Sequence, residues 1–257
     1  MITKMLRIAL MIVLAILALG SAPGAIAESR FRPCSNASLS GAYGFLHDGT
    51  DSTGAPATAA VTQITFDSTK GTFIADTIAS HDGVITTESV PGTYTVASNC
   101  IGTGVPTGLT PFSIVVTSTG FLALHPFSEG FAVRQGSPTC SNDGVQGNFG
   151  FETTGLFLAG APATGWVSFI GELKLTVNPS GEGVISGHLV GAEDSTALAE
   201  EPVTGSYKID RDCTGTATIT PKGQPEMHFS LVVVDCEKEM LAIETDADTV
   251  VSGTLQR

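Results

Sequence analysis

The sequence predicts an all-β protein built from two tandem antiparallel modules of about eight strands each. Three observations carry that prediction. Stretches of the first half recur in the second, apolar and polar residues alternate with period two between turn dipeptides, and four of the five cysteines fall at equivalent places in the two halves.

The repeat comes first because it fixes the domain plan. Cys34-Ser35-Asn36 returns as Cys140-Ser141-Asn142, Gly41-Ala42-Tyr43-Gly44-Phe45 as Gly147-Asn148-Phe149-Gly150-Phe151, and the GAPAT of residues 54–58 as residues 160–164, all at an offset of 106. Gly92-Thr93-Tyr94 with Cys100 then matches Gly205-Ser206-Tyr207 with Cys213 at an offset of 113, so copy two carries about seven extra residues. Phe112 to Val116 matches Phe229 to Val233, and Leu122-Ala123-Leu124 matches Leu241-Ala242-Ile243. Module one spans residues 34–138 and module two residues 140–257, with Gly136-Ser137-Pro138-Thr139 as the joint. Each is of ordinary domain size and can bury its own core.

Strands follow from alternation. In Glu172-Leu173-Lys174-Leu175-Thr176-Val177 the apolar residues share one face. Turn signals at Asp48-Gly49, Asp82-Gly83, Pro91-Gly92, Pro179-Ser180-Gly181 and Lys222-Gly223 divide the runs. In copy two this places strands near residues 146–154, 163–177, 182–191, 203–210, 214–220, 227–234, 238–245 and 249–256. Ala192 to Glu201, where the extra residues fall, reads as a loop with one helical turn. Eight short strands joined by hairpins suit an up-and-down barrel, whose closure removes exposed edges. A Greek-key sandwich fits the length equally well. It fits the cysteines less well, because the immunoglobulin pattern sets a Trp between two core cysteines and copy one has no Trp.

The repeat also pairs the cysteines. Equivalent positions make Cys34 with Cys100 and Cys140 with Cys213 the economical disulfides, and leave Cys236, in the turn Asp235-Cys236-Glu237, as a free thiol. Its acidic neighbours Asp235, Glu237 and Glu239 are a poor setting for a nucleophilic thiolate.

Residues 1–27 hold Lys4 and Arg7, an apolar run from Ile8 to Leu19, breakers at Pro23 and Gly24, and Ala25-Ile26-Ala27, which is the layout of a cleavable secretory signal. The expected location is secreted or periplasmic, with no membrane association after cleavage. Removing the leader takes the formal charge from −13 to −15. Such a surface repels phosphate backbones and anionic lipid heads, which excludes nucleic acid as an expected partner.

Motifs for chemistry are missing. The histidines, His47, His81, His125, His188 and His228, share no metal-ligand spacing and read as surface or half-buried side chains. By the repeat, His47 corresponds to Thr153 and His125 to Glu244, so a site that needed them would exist in one module only. No metal site or cofactor is expected. The acidic pairs and clusters Asp48 with Asp51, and Glu244 with Asp246 and Asp248, lack the spacing of a calcium loop. Asn36-Ala37-Ser38 is a glycosylation sequon.

Gly41-x-Tyr43 and Gly147-x-Phe149 open the two modules. They are similar to the Gly-x-Trp start of lipocalins, with Tyr or Phe in place of Trp and the rest of that signature absent. The whole pattern resembles uncharacterised exported bacterial β-barrel proteins, distantly lipocalin- or calycin-like and duplicated in tandem. The resemblance spans both modules. It implies calycin-like barrels and brings no activity with it. The expected function is non-enzymatic: holding a small apolar ligand in one or both barrels, or a structural and interaction role, with the oligomeric state left open. One alternative is a barrel-type isomerase or cyclase for a hydrophobic substrate, using Glu172, Glu244, His188 or His228 as acid or base. Another is an extracellular matrix or adhesion element.

Overall fold

The computed structural model describes residues 33–50, 56–125, 128–161, 164–194 and 196–257. The leader expected at 1–27, Asp51 and parts of both GAPAT stretches lie outside the described residues.

Eight strands make up the first half: β1 (Gly41–Thr50), β2 (Pro56–Asp67), β3 (Thr72–His81), β4 (Val84–Val96), β5 (Ile101–Pro106), β6 (Phe112–Val116), β7 (Gly120–His125) and β8 (Ser128–Arg134). Each pairs antiparallel with the next, and β8 returns to β1 to close an up-and-down barrel. The second half repeats the plan with β9 (Gly147–Phe157), β10 (Gly165–Val177), β11 (Gly183–Glu193), β13 (Glu201–Ile209), β14 (Thr214–Pro221), β15 (Met227–Val234), β16 (Glu239–Glu244) and β17 (Thr249–Gln256). Pairing of β17 with β9 and of β10 with β11 closes this ring as well. A two-residue strand, β12 (Thr196–Ala197), folds back on the end of β11. Barrels, not sandwiches, are the outcome, and every long strand is paired on both sides.

Most turn signals act as expected. Asp82 and Gly83 take φ of 48° and 78°, the left-handed pair that a two-residue hairpin between twisted strands requires. Two signals do not. Asp48-Gly49 stays inside β1, where a register shift at Gly49/Thr50 absorbs the irregularity. Pro91-Gly92 lies within β4, at the point where that strand begins to pair with β5, so a residue without an N–H interrupts no established ladder there. The helical turn expected within 192–201 is also replaced. Ala192 pairs with Ala197 and Glu193 with Thr196, and Asp194, at φ 43°, accepts a hydrogen bond from the Trp166 amide.

The recurring Cys-Ser-Asn and Gly-x-Tyr motifs meet at the base of each barrel. Cys34 bonds Cys100 and Cys140 bonds Cys213, with Cα separations of 4.9 and 4.8 Å. Loops of 66 and 73 residues are closed in this way, each worth about 4 kcal/mol of unfolded-chain entropy. Beside the first bridge, the Asn36 side-chain oxygen accepts from the Val96 amide at 2.8 Å, and the Tyr94 hydroxyl donates to the Leu39 carbonyl at 2.7 Å. In copy two, Asn142 accepts from Ile209 at 2.7 Å and Tyr207 donates to the Asn142 carbonyl at 3.1 Å. The sequon asparagine is therefore a structural latch. Disulfides of this kind persist in oxidising compartments. Among the described residues no helix is long and apolar enough to cross a membrane.

Apolar packing falls into three layers. One lies inside each barrel. The third lies between the barrels, where Leu46, Ala59 and Val61 on the outside of β1 and β2 pack against Val232, Val234, Leu241, Ile243 and Val250 on the outside of β15–β17. Reading the halves as self-sufficient units misses this layer. Gly44 makes it possible: a Cβ there would collide with Val232 and Val234. Polar contacts rim it. The Asp248 amide donates to the Gly83 carbonyl at 2.9 Å, and Ser80 donates to the Thr249 carbonyl. At the joint, Cys236 sits exposed in a left-handed stretch, Asp235 to Glu237, and its amide donates to the Gln135 carbonyl at 2.8 Å.

Candidate functional site: the interior of the first barrel

Alternation sends every second residue of a strand inward, and in the first barrel those residues divide by size along the axis. At the base Tyr43, Phe66, Phe73, Tyr94 and Phe121 interlock, with ring centroids 4.7 Å apart for Phe66 and Tyr94 and 5.6 Å for Tyr43 and Phe66. Arg134 closes this end, its guanidinium 5.1 Å from the Tyr43 ring centre and hydrogen-bonded to the Tyr43 hydroxyl at 2.6 Å. Toward the other end the inward positions of neighbouring strands hold Ala60, Ala79, Ala123, Gly130 and Ala132. A cavity of about 580 Å³ opens beside them, lined by Ala79 and Ala123 of that set together with Thr58, Thr62, Ala75 and Thr77, and floored by Phe45, Phe73, Phe112 and Phe121. That volume lies within the range of small-molecule sites.

Three histidines line it: His47 from β1, His81 from β3 and His125 from β7. The His47 ring stacks on Phe45 at 5.0 Å, with 9° between the planes. Burial, and then the neighbouring His81 and His125, push its pKa down to about 4, so it is a neutral imidazole at ordinary pH. Thr58 and His81 lie 3.2 Å apart, the Thr62 and Thr77 hydroxyls 2.9 Å apart, and the carboxylates of Glu88 and Glu129 also reach the lining. The result is an aromatic floor beneath a rim of neutral and acidic hydrogen-bonding groups.

The second barrel has the same strands and, among the described residues, no comparable space. Register places Phe169 where barrel one has Ala60, Leu189 for Thr77, Ala217 for Gly104 and Leu255 for Ala132. These larger side chains leave an enclosed void of about 10 Å³, room for one water at most. Its base repeats the first, with the Arg257 guanidinium 5.0 Å from the centre of the Phe149 ring. At the His125 position stands Glu244, buried, its carboxyl pushed up to about 8 by burial and by Asp246.

The histidines are exposed or half-buried, as expected, but they are not all scattered. His188 and His228 are exposed, paired with Glu200 and with Glu226 and Asp246. His47, His81 and His125, by contrast, converge on one cavity. Linear spacing hid them because they come from three strands. Parity would have found them: His47 stands four residues beyond Tyr43, His81 eight beyond Phe73 and His125 four beyond Phe121, each an even step from a core aromatic. Of the residues considered as acid or base, Glu172 is exposed on the outer face, and none of Glu172, Glu244, His188 and His228 lines the cavity. Among the described residues no three His, Cys, Asp or Glu side chains are arranged to hold a metal ion.

No protein-family model matches the chain, and a search of curated proteins finds no match.

Proposed function

We propose that this is an exported, non-enzymatic binding protein of calycin-like architecture, whose first barrel holds a small, mainly apolar ligand and whose second barrel is a filled structural partner. The observation that carries the proposal is the asymmetry between the copies. One ring of strands, used twice, encloses about 580 Å³ in one copy and about 10 Å³ in the other. The difference traces to a few inward positions where the first copy keeps Ala, Gly or Thr. Eight-stranded barrels are just wide enough for side chains to fill, so an unfilled one has room for something else. The aromatic floor suits an apolar body. The neutral His47 and the hydroxyls offer hydrogen bonds to one polar end, and Glu88 and Glu129 disfavour an anionic one.

The test uses the second copy's own residue at a lining position. An environment-sensitive apolar fluorophore is titrated into the oxidised protein and into a Thr77→Leu variant. Wild type binds one dye per chain, and the filled variant binds at least about tenfold more weakly while keeping its melting temperature. Equal binding by both, or no binding by wild type together with no co-purifying small molecule in native mass spectrometry, refutes the proposal.

A further inference from the structure

The two barrels of one chain meet through unlike faces, the outside of β15–β17 on the outside of β1–β3. Because the halves are copies, each barrel owns both kinds of face; on the first barrel β8, the counterpart of β17, already joins the internal contact through Phe131 and Val133, and β6 and β7 are left open. Register equates Val232, Leu241 and Ile243 in the contact with Val115, Leu122 and Leu124 of the first barrel. The first three are 3%, 0% and 0% exposed, and their counterparts are 44%, 51% and 60% exposed. Ile101 and Val105 on β5 extend this open aliphatic row.

The complementary face of the second barrel is open too. Val61 and Ile78, in or against the contact, correspond to Ile170 and Val190, which are exposed and paired in register with each other. Gly44, whose missing Cβ admits Val232 and Val234, corresponds to Gly150. A Cβ on Gly150 would meet a single atom, the Gln256 carbonyl oxygen, at 3.7 Å. Most of the exposed large aliphatic side chains of the β5–β7 and β9–β11 strands thus lie on the two faces that the internal contact leaves over.

We propose that a second copy of this chain docks head to tail. The β5–β7 face of the first barrel sits on the β9–β11 face of the second barrel of its neighbour, with β6 and β7 in the places that β15 and β16 hold within one chain and β5 added where β8, the counterpart of β17, is already engaged. Glu152 and Ser168 stand where the internal interface has Leu46 and Ala59, so the repeated contact is more polar and its association reversible. A contact between unlike faces generates rings or open chains, not a closed two-fold pair.

Sedimentation velocity on the full oxidised chain, with the Cys236 thiol alkylated, tests this. The expected result is species larger than the monomer that grow with concentration up to about 1 mM. Leu122→Glu and Ile170→Glu each abolish them while circular dichroism stays native. An equimolar mixture of the two variants, with one intact face each, yields dimers and nothing larger. Association that Ile170→Glu leaves untouched would mean that the β5–β7 face meets itself or some other surface. That result, or a monomer at every concentration, overturns the proposal.

Discussion

Leu241→Ala is the substitution that most directly tests whether the two barrels fold as one body. Leu241 is wholly buried, yet it lies on the outside of its own barrel, in the layer shared with Leu46, Ala59 and Val61. Truncating a fully buried leucine costs about 2–5 kcal/mol, more where the surroundings cannot collapse into the gap. Here the gap is walled by two closed sheets, so about 4 kcal/mol is expected. For a cooperative unit of this size, a loss of that order lowers the melting temperature by about 8–16 °C. Differential scanning calorimetry under non-reducing conditions measures it. Wild type should melt in one transition, and Leu241→Ala should lower the whole transition or split off the first barrel. Leu122→Ala is the internal control: the same residue type at the same place in the repeat, but half exposed, with an expected shift within about 1–2 °C. Two independent transitions in wild type, or equal shifts for both variants, would refute a shared layer.

Titration provides a second check, because the buried Glu244 and the half-buried His47 act with opposite sign. Glu244 stays protonated up to about 8 in the folded protein, against 4.5 unfolded, so the stability it gives at acid pH is lost as pH rises through that window. Glu244→Gln, which mimics the neutral acid, should raise the melting temperature at about pH 8.5 and leave it unchanged at about pH 4.5. His47 stays neutral down to about 4 against 6.5 unfolded, so stability present above pH 6.5 is lost as pH falls toward 4, and His47→Phe should flatten that acid limb. A thiol count on denatured, unreduced protein should return one per chain, from Cys236; three or five would contradict the disulfides described above.

How much of this was legible in the residues depends on how local each signal is. The duplication, the strand positions and the cysteine pairing all rest on motifs that can be matched within one stretch, as Cys34-Ser35-Asn36 with Cys140-Ser141-Asn142 shows. The open interior was not legible in that way, because it depends on Thr58, Thr62, Ala75, Thr77, Ala79 and Ala123 being small at once on three different strands, and on larger residues at only some of their counterparts. Parity sets Glu172 on the outer face, opposite Leu173 and Leu175, and the same counting from Tyr43, Phe73 and Phe121 reaches all three cavity histidines. The layer between the barrels left one trace, the glycine at position 44. Its neighbour-by-neighbour meaning appears only when Val232 and Val234 are brought against it. Asp48-Gly49 and Pro91-Gly92 misled because the dipeptides that end strands are also those that let a long strand bend or change partners.

The pairing of a solid barrel with a hollow one has a consequence for how this molecule can change. A container whose walls must also supply all of its own cohesion tolerates few alterations to its lining, since each one risks the vessel along with the contents. Here the neighbour acts as ballast: the compact half and the seam between the halves hold the assembly together. Residues facing the empty space can therefore be exchanged for others of different size or polarity while the frame around them stays upright.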